Sequence, residues 1–346
     1  MMSLKISGQF PKLEHIDIEL TRDCDLNCIH CSAGTKRRGT ELSVNEIKNI
    51  LREAKELGLS KLGFTGGEPF LRYEELRELV KFSINELDTN IHIHSNGIPI
   101  SPDVAKWIKR LSIDMTVTLF GSTAETHDTI TDRKGSMKST LKGLQNLLDE
   151  QASVSTFIVP MKQNIHEIIP LIRMLNEIGC KDIRILSFSP TGKALKKFNE
   201  LALTRDDIDY LNIQFIKIQE ELDVNLNAGF CTRLSHPVLK VRKGHDFCYS
   251  AENRIHIDSY GNVFPCTASS GRLIFSAGNV LMPENKLTEI WKYSPLLQFI
   301  RKFHANRPKK CQNCTKYTDC MGGCRVMMAY KYGDITIANP ECGGPF

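Results

Sequence analysis

The sequence predicts an α/β fold: a partial (β/α)6 barrel followed by a small cysteine-rich domain. Three observations carry this. Apolar, β-branched runs alternate with amphipathic stretches of helical period from residue 15 onward. Six such runs occur, at 15–21, 61–67, 90–97, 114–121, 153–160 and 182–190, two short of a closed eight-stranded barrel. From about residue 204 the alternation gives way to one helix (204–222), a bridge, and a cysteine-rich stretch from Cys248 to Cys342. The chain divides into an N-terminal extension (1–14), the barrel (15–225), the bridge (226–247) and the C-terminal domain (248–346).

The elements follow from local chemistry. HIDIELT (15–21) alternates in the manner of a strand, and the first helix opens on Ser43 with Glu46 three residues on, a capping box, and closes at Gly58. Ser101-Pro102-Asp103 starts the next well-marked helix, where proline lacks only an N–H that has no partner in a first turn. Strands joined by helices predict a parallel sheet with right-handed crossovers. Ligands in such folds sit at the carboxyl ends of the strands. The motifs fall there: a cysteine loop after strand one, Gly66-Gly67-Glu68-Pro69 after strand two, Ser95-Asn96-Gly97 after strand three, Phe120-Gly121-Ser122 after strand four and Pro190-Thr191-Gly192 after strand six.

Composition bounds the function. The chain has 346 residues, a formal net charge of +5, and 12 cysteines. Basic residues are dispersed apart from Lys36, Arg37 and Arg38, which read as a solvated loop, and no nucleic-acid module signature is present. The N-terminus has no signal-peptide core and no stretch reaches the ~20 apolar residues of a membrane span, so the expected location is the cytoplasm, without membrane contact. Thiols stay reduced there, and the cysteines point to metal rather than disulfides. Cys24, Cys28 and Cys31 (C-x3-C-x2-C) suit three irons of a [4Fe–4S] cube with the fourth left open for a chelating ligand; a zinc loop is the alternative.

These cysteines together with GGEP (66–69) resemble the radical S-adenosylmethionine (SAM) superfamily. Cys248-x12-Gly261-x4-Cys266, Cys311-x2-Cys314-x5-Cys320-x3-Cys324 and Cys342 resemble the seven-cysteine SPASM domain, which binds auxiliary iron–sulfur clusters; a zinc ribbon is the alternative for 311–324. The resemblance implies that Cys24, Cys28 and Cys31 hold the SAM-binding [4Fe–4S] cluster. Gly66, Gly67 and Glu68 would take the SAM amino group, Ser95 and Asn96 the ribose, and Ser122 and Arg133 the carboxylate, with a surface ion pair the other reading of Arg133. Asp25 and Asn27 would shape the loop. One auxiliary [4Fe–4S] cluster would use Cys248, Cys266 and Cys324, the other Cys311, Cys314, Cys320 and Cys342. Cys180 reads as a buried structural thiol, and Cys231 as an eighth ligand or a hydrogen-atom donor beside the substrate; with neither role, that cluster has an open iron able to bind substrate.

The resemblance further implies reductive cleavage of SAM and hydrogen-atom abstraction, with a flavodoxin- or ferredoxin-type electron donor. The leading substrate is a ribosomally made peptide or protein that is crosslinked, epimerised or oxidised. Because 23 residues precede Cys24, peptide recognition is expected to need a separate leader-binding protein or direct docking on the barrel. Thr267 stands where anaerobic sulfatase maturases carry Asp, which counts against formylglycine formation. The alternatives are a small-molecule enzyme (tetrapyrrole side-chain decarboxylase or alcohol dehydrogenase) and a non-catalytic electron carrier. His94, Asp114, Thr118 and Tyr249 are polar candidates for facing the substrate, and His92 with His94 reads as a pair of satisfied structural histidines.

Overall fold

The computed structural model describes residues 10–31, 39–228, 238, 239, 248, 250–282, 284–315, 317 and 321–340. Cys231, Cys320, Cys342, Tyr249 and the run 36–38 lie outside the described residues.

All six predicted strands are present: β1 (His15–Thr21), β2 (Lys61–Gly66), β3 (Asn90–Ser95), β4 (Asp114–Thr118), β5 (Val154–Ile158) and β6 (Asp182–Ile185). They run parallel in sequence order, and the sheet extends beyond them. A further strand, β7 (Asn225–Ala228), continues it parallel to β6, and β8 (Arg254–Ile257) pairs parallel with β1 on its other side. Then β9 (Asn262–Phe264) and β10 (Gly278–Asn279) add on antiparallel. The two short strands β7 and β8 have four residues each, too few for a periodicity to show. No helix among the described residues is long and apolar enough to cross a membrane.

Helices cover one face of the sheet. In β1, Ile16, Ile18 and Leu20 are fully buried and join the core formed with α1 (Val44–Leu57) and its successors. The capping box forms as expected, with the Ser43 side chain accepting from Glu46 N–H, and Gly58 ends the helix at φ 110°. Ser101 likewise caps α3 (Pro102–Arg110) by accepting from Val104 N–H. Cys180 is buried beside the Thr156 hydroxyl at 3.1 Å, at the start of β6.

The opposite face of β1 is polar and equally buried. The Arg254 guanidinium grips Asp17, with Nε at 2.8 Å, and Thr267 Oγ1 donates to the same carboxylate at 3.2 Å. Burial raises the Asp17 carboxyl, but Arg254 and then His15 outweigh it and hold the group well below its usual range. Glu19 accepts from Arg22 Nε at 3.0 Å, His256 Nε2 at 3.0 Å and Ser270 Oγ at 2.6 Å. Burial again pushes upward, but the His256 hydrogen bond, with Arg22 and Ser270, holds the carboxyl down at about 2. These contacts tie the C-terminal region to the first strand. Because the folded-state value lies below the ordinary 4.5, the stabilisation is present above about 4.5 and is lost as pH falls towards about 2. Thermal midpoints of wild type and Glu19→Gln should therefore converge on acidification through that window. A gap independent of pH would refute the assignment.

Candidate active site at the carboxyl rim

The first cysteine loop leaves β1 at Thr21 and is held on every side. Glu41 accepts from Thr21 Oγ1 at 2.8 Å and Arg22 N–H at 2.7 Å. Asn27 N–H donates to the Thr131 carbonyl at 3.0 Å and Ile29 N–H to Ile130 at 2.9 Å, both in the last turn of α4 (Ala124–Thr131). Lys193 N–H donates to the Cys31 carbonyl at 2.9 Å, and its Nζ reaches Asn27. Cys24, Cys28 and Cys31 are free thiols. Desolvation pushes the Cys24 thiol up to about 11 and Cys28 up to about 12, their neighbouring sulfurs adding to the effect. A metal that takes the thiolate removes that cost, so the donor set fits an iron–sulfur cluster.

Against this loop lies the Gly66-Gly67 turn. Gly67 N–H donates to the Thr21 carbonyl at 2.7 Å and Glu68 N–H to Asp23 at 2.8 Å. Gly66 has φ +135°, and a Cβ there would meet Thr21 O at 2.2 Å; one on Gly67 would meet Asp23 O at 2.1 Å. Only glycine allows so close an approach.

Glu68 is fully buried. Its carboxylate accepts from Phe70 N–H at 3.1 Å, Ser95 Oγ at 3.0 Å and Asn96 N–H at 2.8 Å. Burial, with a contribution from Asp25, pushes this carboxyl up to about 7. The Asn96 side chain donates to Asp25 Oδ1 at 2.6 Å and lies 4.0 Å from Cys24 Sγ. Arg133 donates to the Asp25 carbonyl at 3.0 Å and to Oδ2 at 2.7 Å. The structure thus brings Cys24, Gly66, Gly67, Glu68, Ser95, Asn96 and Arg133 into one network, with Asp25 at its centre. Within it Glu68 and Ser95 bond to each other, while the Gly66-Gly67 backbone stays partly exposed.

Ser122 is not brought to Arg133. It precedes α4 and Arg133 follows it, with roughly 12 Å of helix between them. The Ser122 N–H and hydroxyl both donate to Glu167, at 2.7 and 3.0 Å, as does Thr123 Oγ1 at 2.8 Å. Glu167 carries no motif, and nothing in its local sequence marks it.

Further into the barrel, His92 Nε2 meets Thr116 Oγ1 at 2.7 Å, and the His92 and His94 rings stack at 4.4 Å. Burial leaves His94 at about 4, a neutral ring. Asp114 lies at the opposite, amino end of β4, exposed and accepting from Ser153 Oγ at 2.6 Å, away from the rim.

In the C-terminal region, Cys266 and Cys324 pack with Phe264, Phe275 and Val326. Burial, and then Cys266, pushes the Cys248 thiol up to about 12; burial and Cys324 raise Cys266. The three cysteines therefore share one buried site. Arg325, beside Cys324, donates to the carbonyls of Gly322, Gly323, Ile335 and Ile337 and fixes the loops around it. Cys311 and Cys314 form a separate turn, Cys314 N–H donating to Cys311 at 3.1 Å.

Comparison with known proteins agrees with this geometry. The Radical SAM superfamily model matches residues 18–175 and an iron–sulfur cluster-binding SPASM domain matches 248–315. An AdoMet-dependent heme synthase of Methanosarcina barkeri is 24% identical over 94% of both chains. The mycofactocin maturase MftC of Mycobacterium tuberculosis is 27% identical over 94% of this chain and 81% of its own. Streptococcus suis SuiB bound to precursor peptide SuiA superposes with a TM-score of 0.75 at 20% identity, over 96% of this chain and 76% of that one, and SuiB has also been solved bound to S-adenosylmethionine. The cofactors these domains imply are iron–sulfur clusters and SAM. The chain belongs to the radical SAM superfamily and carries a C-terminal SPASM domain.

Proposed function

We propose that this protein cleaves SAM reductively at a [4Fe–4S] cluster held by Cys24, Cys28 and Cys31 and modifies a residue of a ribosomally made peptide or protein. The observation that carries the first half is the seating of the start of the cysteine loop, at Thr21 and Asp23, on the Gly66-Gly67 turn, with Asp25 bonded to Asn96 and Asn96 to Glu68 beside Cys24. When bound, the reduced cluster and SAM supply a 5′-deoxyadenosyl radical that abstracts a hydrogen atom from the substrate. The chain's own residues position and shield. Gly66 and Gly67 offer backbone oxygens to the SAM ammonium. Glu68 holds Ser95 and Asn96 in place beside the ribose. The barrel would keep water from the reacting carbon, and Cys248, Cys266, Cys311, Cys314, Cys320, Cys324 and Cys342 would hold auxiliary clusters, which would supply an electron acceptor where the modification is a net oxidation.

Peptide modification is supported by the mycofactocin maturases among the relatives. A second reading, oxidative decarboxylation of a tetrapyrrole side chain, is supported by the heme synthase relative that aligns nearly end to end. Anaerobic turnover with SAM and dithionite, offered a candidate precursor peptide or an iron porphyrin, separates the two by mass. A peptide that loses hydrogen, or that gains one deuterium per epimerised residue when turnover is run in D2O, supports the first; a porphyrin that loses carbon dioxide overturns it.

Arg133 admits a sharp test. If it only pairs with Asp25, a half-exposed ion pair contributes about 0–1 kcal/mol and Arg133→Ala changes SAM affinity by no more than a few-fold. As a bidentate partner of the SAM carboxylate it contributes about 1.5–3 kcal/mol, and Arg133→Ala weakens SAM binding by roughly 10- to 100-fold. The larger loss is expected, measured by equilibrium binding to the reconstituted protein.

A further inference from the structure

Cys248, Cys266 and Cys324 supply three thiolates to one buried site, whereas a cubane cluster takes four ligands. His256 lies on β8 and is fully buried. Its Nε2 stands 3.0 Å from Glu19 Oε1, an oxygen that also accepts from Ser270. A carboxylate ringed by donors takes an N–H from His256, which leaves the lone pair on Nδ1. That Nδ1 is buried with no hydrogen-bond partner among the described residues. An orphaned buried acceptor costs about 1–3 kcal/mol, so it calls for a ligand.

The surroundings say which. The ring nitrogens lie on nearly opposite sides of an imidazole. Strand β8 sits between β1 and β9, and Nε2 faces Glu19 on β1, so Nδ1 faces the β9 side. There His256 is in register with Phe264, their rings 6.4 Å apart. Phe264 is two residues from Cys266 and belongs to the apolar cluster, with Phe275 and Val326, against which Cys266 and Cys324 pack. A histidine held by a carboxylate on one nitrogen and presented to metal on the other is a recurrent arrangement.

We propose that His256 Nδ1 is the fourth ligand of the auxiliary cluster at Cys248, Cys266 and Cys324, with Glu19 orienting it, on the footing that those three cysteines hold a cluster. The test uses full-length protein with Cys24, Cys28 and Cys31 replaced by alanine, reconstituted with iron and sulfide, reduced, and studied by pulsed EPR with and without 15N-histidine labelling. A directly coupled histidine nitrogen is expected in the parent. It should vanish in His256→Cys, with iron content unchanged and the reduction potential lower, since imidazole ligation raises it. A cluster without coupled nitrogen, or a coupling that persists in His256→Cys, overturns the assignment while leaving the cysteine ligands standing. Absence of any cluster in the parent overturns both. Should His256→Cys fail to fold, the labelled parent alone decides.

Discussion

Replacing Cys24, Cys28 and Cys31 together by alanine is expected to reduce anaerobic 5′-deoxyadenosine formation from SAM to the no-enzyme background. The loop is anchored by backbone contacts to Ile130, Thr131 and Lys193 rather than by its thiols, so the fold should survive the change. Cys248, Cys266 and Cys324 lie in the C-terminal region, apart from this loop, and the iron they are proposed to hold should remain. Three measurements therefore belong together: product, iron content and thermal midpoint. Product lost with C-terminal iron retained assigns SAM cleavage to this loop. Product retained refutes that assignment. A wild-type protein carrying its full iron yet forming no product points instead to an electron carrier, or to a substrate that must bind before SAM is cleaved.

Gly66→Ala and Gly67→Ala are expected to cause the next largest loss. The added Cβ would sit 2.2 Å from Thr21 O in the first and 2.1 Å from Asp23 O in the second, against backbone that cannot rotate away. At Gly66 a positive φ adds conformational strain. Together these amount to ~2–5 kcal/mol of local strain. The turn must then separate from residues 21–23, which carry the cysteine loop, and that separation breaks the N–H donations from Gly67 and Glu68. SAM affinity should fall by at least ~10-fold even in protein that remains folded. Gly135→Ala serves as the control, because a Cβ there meets nothing within 4 Å although its φ is also positive. Equal effects at Gly66 and Gly135 would show that backbone strain, not close approach, governs the turn.

The parallel sheet was legible because buried β-branched runs bounded by capping signals repeat along the chain, and both the Ser43 and Ser101 caps formed as read. The strands at the sheet's two edges were not, since β7 and β8 are too short to show a period and depend on pairing with β6 and β1. The two iron–sulfur domains were legible because cluster chemistry demands particular residues at particular spacings. The polar partners were harder. Asp25, a loop-shaping residue by sequence, links Asn96, 71 positions on, with Arg133, 108 positions on. Glu167 was invisible, because a carboxylate that organises a distant loop leaves no local pattern.

The sequence by itself determined the superfamily, the order of strands and the thiolates available to iron, all matters of composition and short-range spacing. Only the tertiary structure decided that Glu68 is sealed against Ser95 and Asn96, that Ser122 belongs to Glu167, and that Glu19 and His256, 237 positions apart, meet. Burial and hydrogen-bond saturation arise from strand pairing over long loops, and no local stretch of chain encodes which polar group a folded sheet will leave unpaired.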